Sequence, residues 1–86
     1  MLITVYTRPN CQPCRATKRK LEQLEAAYTL IDVTEYPDAL DQIRGLGYLQ
    51  APVVVARVGD EEFHWGGFSP DKIAWAVKAI DPQPKE

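Results

Sequence analysis

Apolar residues along this chain follow two rhythms: short runs that suit strands, and longer stretches in which they recur every three or four positions, as on one face of a helix. Leu2 to Tyr6 is short, apolar and β-branched at Ile3, Thr4 and Val5, which predicts a buried strand, and Arg8-Pro9-Asn10 breaks it. From residue 13 to about 27 helix formers dominate, with Thr17, Leu21, Leu24 and Tyr28 spaced to share one face. Thr29 to Val33 reads as a second strand, and the intervening helix implies a right-handed crossover to a parallel neighbour. Pro37 suits the first turn of a second helix, whose inner stripe is Ala39, Ile43 and Leu46 and which ends near Gly45 and Gly47. Val53-Val54-Val55-Ala56 predicts a third strand running opposite the first, Gly59-Asp60 a turn, and Glu61 to Trp65 a fourth strand closing a hairpin before Gly66-Gly67. Ser69-Pro70-Asp71 then has the form of a helix start, with a capping hydroxyl, proline at the first helical position and an acid beside the positive end of the dipole. Ile73, Ala76, Val77 and Ile80 form the inward face of this last helix, and the order is βαβαββα.

At 86 residues the pattern fills one domain, residues 1–80, with a polar, proline-broken tail at 81–86 expected to fray. No apolar stretch approaches the roughly 20 residues that span a bilayer. The opening residues also lack the basic segment and long apolar region of a secretion signal, so the expected location is the cytoplasm, away from membranes. The net charge of −2 conceals an asymmetry: residues 1–21 hold Arg8, Arg15, Lys18, Arg19 and Lys20 and no acid, whereas all twelve acidic residues lie beyond. These cations read as a solvated helix face that can also steer an acidic partner or support a thiolate. An acidic chain without aromatic residues interleaved in its basic cluster does not suit nucleic acid.

The chemistry concentrates in Cys11 and Cys14, the only cysteines of the chain. C-x-x-C at a strand-to-helix junction within a βαβ unit is the signature of a dithiol redox site, and in a helix residues three apart have Cα atoms about 5 Å apart, which a disulfide can close. With Cys11 in the N-cap region, its sulfur faces unpaired backbone N–H groups at the positive end of the dipole, where a thiolate is favoured. Pro13 contributes no N–H but costs little in a first turn, and its fixed φ stiffens the approach of the two sulfurs. Cys11 is therefore assigned as the attacking thiol and Cys14 as the resolving thiol, with proximity contributing more than thiolate activation. Copper(I) or zinc binding is the rival chemistry, yet two sulfurs are too few for a closed zinc site and His64, the only histidine, lies some fifty residues away and reads as an ordinary edge-strand residue. No metal site is expected.

Three blocks, Tyr6-Thr7-Arg8 through Cys11, Cys14 and Ala16-Thr17-Lys18, then Gly47-Tyr48-Leu49-Gln50-Ala51-Pro52-Val53-Val54, then His64-Trp65-Gly66-Gly67-Phe68-Ser69-Pro70-Asp71, together resemble the NrdH-redoxins, glutaredoxin-like bacterial proteins. The similarity runs from residue 1 to about 80. It implies an α/β thioredoxin fold in which a four-stranded mixed sheet is flanked by three helices. It also implies a monomer with no bound cofactor, reduced by thioredoxin reductase with electrons from NADPH, and donating to the large subunit of a class Ib ribonucleotide reductase. The family's redox pair maps onto Cys11 and Cys14, and its cis-proline onto Pro52, where Ala51 offers strand-like hydrogen bonds to a partner peptide. Trp65, Gly67 and Phe68 are expected to form the loop beside the cysteines, so the partner-facing set is Arg8, Gln12, Ala51, Pro52, Trp65, Gly67 and Phe68. Phe68 also suits a hydrophobic staple onto Ile73, Trp65 a cover for the sheet edge, and Trp75 a partly exposed aromatic without a catalytic role. Two departures stand out. The middle pair is Gln12-Pro13 where the family has Val-Gln, from which a more reducing potential is expected, and Gly66 replaces a serine. A glutathione-dependent glutaredoxin is the alternative: Arg8, the neighbours of Pro52 and Gly66-Gly67 supply some of the contacts that glutathione needs. The Phe68-Ser69-Pro70 stretch before Asp71 favours thioredoxin reductase.

Overall fold

The structure, a computed structural model, describes residues 2–80, so the tail expected to fray at 81–86 lies outside the described residues. Seven elements follow in the expected order: β1 (Ile3–Thr7), α1 (Gln12–Gln23), β2 (Thr29–Asp32), α2 (Pro37–Gly45), β3 (Val53–Val58), β4 (Glu61–Gly66) and α3 (Pro70–Ile80). The strands form one mixed sheet in the order β2-β1-β3-β4, with β1 parallel to β2 and antiparallel to β3, and β3 antiparallel to β4. This is the thioredoxin-like architecture that the resemblance implies.

The central strands are apolar on both faces because helices cover both. Ile3 and Val5 of β1, Val54 and Ala56 of β3 and Trp65 of β4 pack with Leu21 of α1 and with Ile73 and Ala76 of α3. One residue along, Val53 points to the opposite face and joins Val33, Ala39 and Ile43 beneath α2, as the two-residue period of a strand requires. The edge strand β2 is only half-buried, and β1 lies one residue later than its hydrophobicity suggests, leaving Leu2 exposed.

Helix ends account for two further corrections. α1 stops at Gln23 rather than near residue 27: Glu25 takes the left-handed conformation (φ 56°), and the N–H groups of Glu25 and Ala26 close back onto the carbonyls of Glu22 and Leu21. That is the bonding of a Schellman cap with glutamate at the position usually held by glycine, so no glycine marks the end. Leu24 and Tyr28 still reach the core, but from the connection after the helix. α2 ends in the same way with Gly47 (φ 100°) at that position, which turns Leu46 outward, 44% exposed, instead of onto the inner stripe. Ser69 caps α3 as expected, its Oγ accepting from Lys72 N at 3.4 Å and its carbonyl from Ile73 N at 3.0 Å.

Candidate redox site

β1 delivers the chain to the carboxyl end of a central strand, after which Asn10 adopts a left-handed conformation (φ 56°) and turns it into α1. Asparagine tolerates that region better than most residues. Cys11 follows as the N-cap with extended backbone (φ −120°, ψ 107°), and its Sγ accepts from the backbone N–H of Cys14 at 3.1 Å. Its carbonyl accepts from Arg15 N at 3.2 Å, so the cap satisfies donors in the first turn, where Pro13 presents none. Cys11 and Cys14 are joined as a disulfide with Cα atoms 5.2 Å apart, in line with the helical spacing.

The two cysteines are not equally exposed. Cys11 is 7% exposed and Cys14 2%, the latter lying on the same buried face as Thr17 and Leu21. Thr17 is wholly buried and donates its hydroxyl to the Pro13 carbonyl at 2.9 Å, which satisfies a polar group directly beneath the dithiol.

The second strip of the site comes from the segment before β3. The Ala51–Pro52 peptide bond is cis, as the mapped family position implies, and the Ala51 carbonyl oxygen lies 3.8 Å from Cys11 Sγ. In the disulfide this sulfur carries no hydrogen, so the approach is a van der Waals contact rather than a hydrogen bond. Pro52 is buried, and its carbonyl accepts from Gly67 N at 2.9 Å, which ties the connection before α3 to the same strip. Gly67 has φ 79°, a conformation that favours glycine.

Cys11, Cys14, Ala51, Pro52 and Gly67 are thus brought together by contacts or hydrogen bonds. Arg8 and Gln12 are exposed, in the connection before α1 and at its first residue, and Phe68 is exposed after Gly67. Trp65 is a correction. It belongs to β4, as the strand reading has it, and not to the loop, and at 5% exposure it packs in the core with Leu21 of α1 and with Ile73 and Ala76 of α3. Trp75 is indeed partly exposed, its ring edge-to-face with Phe63 at 5.0 Å. Among the described residues no group of three or more His, Cys, Asp or Glu side chains is placed to hold a metal ion, and no helix is long and apolar enough to cross a membrane. One residue missed by sequence reasoning is Tyr48, whose hydroxyl lies 2.8 Å from Nδ1 of His64 and whose ring covers Gly66. Only an aromatic residue just after a helix-ending glycine hints at it.

The glutaredoxin family model matches residues 3–62. The glutaredoxin-like protein NrdH of Salmonella typhimurium is 47% identical over 73 residues, covering 85% of each chain, and that of Escherichia coli K12 is 44% identical over the same span. Among solved structures, the NrdH-redoxin of Escherichia coli, a glutaredoxin-like protein with a thioredoxin-like activity profile, superposes with a TM-score of 0.78. It shares 43% identity, with 87% of this chain and 93% of that one covered.

Proposed function

The chain belongs to the glutaredoxin family and, within it, to the NrdH glutaredoxin-like thiol–disulfide oxidoreductases, and from that premise we propose that Cys11 and Cys14 carry electrons from thioredoxin reductase to the large subunit of a class Ib ribonucleotide reductase. The observation that carries this reading is the Cys11–Cys14 disulfide itself, with the sulfur of its more exposed cysteine capped by the Cys14 N–H and set against the Ala51 carbonyl.

In the reduced protein the Cys11 thiolate attacks one sulfur of the target disulfide, forming a mixed disulfide and releasing the first target thiolate. Cys14 then loses its proton and attacks the Cys11 sulfur, closing the internal disulfide and releasing the second target thiolate. Two electrons pass to the target, and the dithiol of the reductase returns two to this protein, drawn ultimately from NADPH with no cofactor held here. The N-terminal N–H groups of α1 favour the thiolate at Cys11, and the proximity of Cys14 makes the second step intramolecular.

Arg8, Gln12, Ala51, Pro52, Gly67 and Phe68 form the docking strip in this reading, with Ala51 offering backbone hydrogen bonds to an extended peptide. Arg15 and Arg19 extend it along α1. Both are exposed, and among the described residues no carboxylate pairs with them, since the ion pair found joins Arg57 to Glu62. The protein acts as a monomer in the cytoplasm, a reducing compartment in which a cycling C-x-x-C disulfide is catalytic rather than structural.

A coupled NADPH assay tests the reading. Rapid oxidation of NADPH with thioredoxin reductase and slow oxidation with glutathione plus glutathione reductase is the expected result. The reverse result would make the protein a glutathione-dependent glutaredoxin.

A further inference from the structure

Pro52 is held by burial and by the Gly67 N–H on its carbonyl, but the residues that lead into Ala51 have little of their own to hold them. Leu49 is 86% exposed and Gln50 is exposed, so the chain between Gly47 and Ala51 is anchored through Tyr48. Three contacts make that anchor. The backbone N–H of Tyr48 donates to the Ile43 carbonyl at 3.0 Å, closing the end of α2, and its half-buried ring packs against the cluster of Val33, Ala39, Ile43 and Val53. Its hydroxyl meets Nδ1 of His64 on β4 at 2.8 Å, with the two rings edge-to-face at 5.5 Å. The third contact is with Gly66, where a Cβ would lie 3.0 Å from Cδ1 and 3.1 Å from Cε1 of the Tyr48 ring, and 3.9 Å from the Pro52 carbonyl oxygen.

Gly66 is not among the glycines with positive φ, so its backbone does not need glycine. What needs glycine is the space that the Tyr48 ring occupies. The ring is held at both ends, by the α2 cluster and by His64, so a Cβ 3.0 Å from it pushes it by a few tenths of an ångström against those two contacts.

We propose that Tyr48 is a positioning residue for the redox reaction, its ring seated on the bare Cα of Gly66 and tied to His64 so as to fix the Ala51–Pro52 strip beside Cys11. The proposal rests on the preceding reading, in which Ala51 holds the peptide that bears the target disulfide. Displacing the ring moves Ala51 and weakens that hold without touching either sulfur.

Tyr48→Ala, Gly66→Ala and the double variant test it, with insulin reduction by dithiothreitol as the assay. Each single change is expected to raise KM for insulin about three- to tenfold with kcat within about twofold of wild type, the split that marks lost binding rather than lost chemistry. The double variant is expected to be no worse than Tyr48→Ala, because once the ring is gone a Cβ at position 66 meets only the Pro52 carbonyl oxygen, at an ordinary van der Waals distance of 3.9 Å. A double-variant KM equal to the product of the single effects, or a Gly66→Ala variant with unchanged KM, overturns the proposal. Amide spectra of the oxidised proteins give a readout independent of turnover: Gly66→Ala shifts Cys11 and Ala51 in the wild-type background and leaves them in place in the Tyr48→Ala background. Equal shifts in both backgrounds overturn the proposal even if insulin proves a poor substrate, while failure of wild type to reduce any protein disulfide overturns only the functional reading. If Tyr48→Ala does not fold, Tyr48→Val takes its place, since valine ends one bond short of the ring atoms that approach Gly66.

Discussion

The backbone N–H of Cys14 donates to Sγ of Cys11 at 3.1 Å, so the residue that resolves the mixed disulfide also caps the sulfur that forms it. The cap acts one way only, because the Cys14 sulfur lies inside the helix and deeper, beside Thr17 and Leu21. Cys14→Ser is expected to accumulate a mixed disulfide through Cys11 with a protein disulfide target, visible as a mass adduct that dithiothreitol removes. Cys11→Ser should form none. Adducts on Cys11→Ser alone would reverse the two roles.

Pro13 stands in the first turn of α1 between the two cysteines, where its fixed φ holds the backbone of the reduced form close to that of the disulfide. Less chain entropy is then lost on closure, which stabilises the disulfide and makes the pair more reducing. A proline at a compatible position contributes about 0.4–1 kcal/mol by this route, equivalent to roughly 10–20 mV for a two-electron couple. Pro13→Gln is therefore expected to raise the reduction potential by about that amount in equilibration against dithiothreitol. A potential that stayed the same or fell would show that the proline acts in some other way.

Tyr28 donates its hydroxyl to Glu22 Oε2 at 2.9 Å, and its pKa is raised above the ordinary 10.0, first by burial and then by the hydrogen bond to and charge of Glu22. The folded state thus holds this proton more tightly than the unfolded chain. The resulting stability is fully present below the unfolded value near pH 10 and is lost as pH rises through the higher folded value. Urea midpoints should fall with pH above about 10, and Tyr28→Phe, which keeps the ring on the core, should fall less steeply. Equal slopes for the two proteins would sever the link to Tyr28.

How much of this was legible in the chain depends on where local signals govern. Proline at the starts of α2 and α3, glycine after α2 and the Ser69 cap act within a few residues, and all are readable from the sequence. Glu25 in a left-handed cap defeats such reading, since glutamate carries no mark of the conformation it adopts. The cysteine pair is legible because both members lie in one turn. The contact of Tyr48 with Gly66 and His64 is not, because the connection after α2 and strand β4, distant in sequence, must first be assembled. Trp65 misleads for a related reason: it sits in a motif that resembles a loop, while the alternation of β4 turns its ring into the core.

That burial carries the last prediction. Trp65 is 5% exposed and its Nε1 has no hydrogen-bond partner among the described residues. A buried N–H without a partner costs roughly 1–3 kcal/mol, whereas truncating a buried tryptophan to alanine costs about 3–5 kcal/mol in lost contacts and residual cavity. Trp65→Phe keeps most of the ring area and removes the stranded donor, so the two effects oppose each other. Its stability should lie within about 1 kcal/mol of wild type, while Trp65→Ala loses several times more. Turnover with thioredoxin reductase should also stay within about twofold for Trp65→Phe, because the side chain packs in the core with α1 and α3. A stable Trp65→Phe protein with a tenfold loss in turnover would mean that the indole reaches the partner after all, through a rearrangement of β4 on binding.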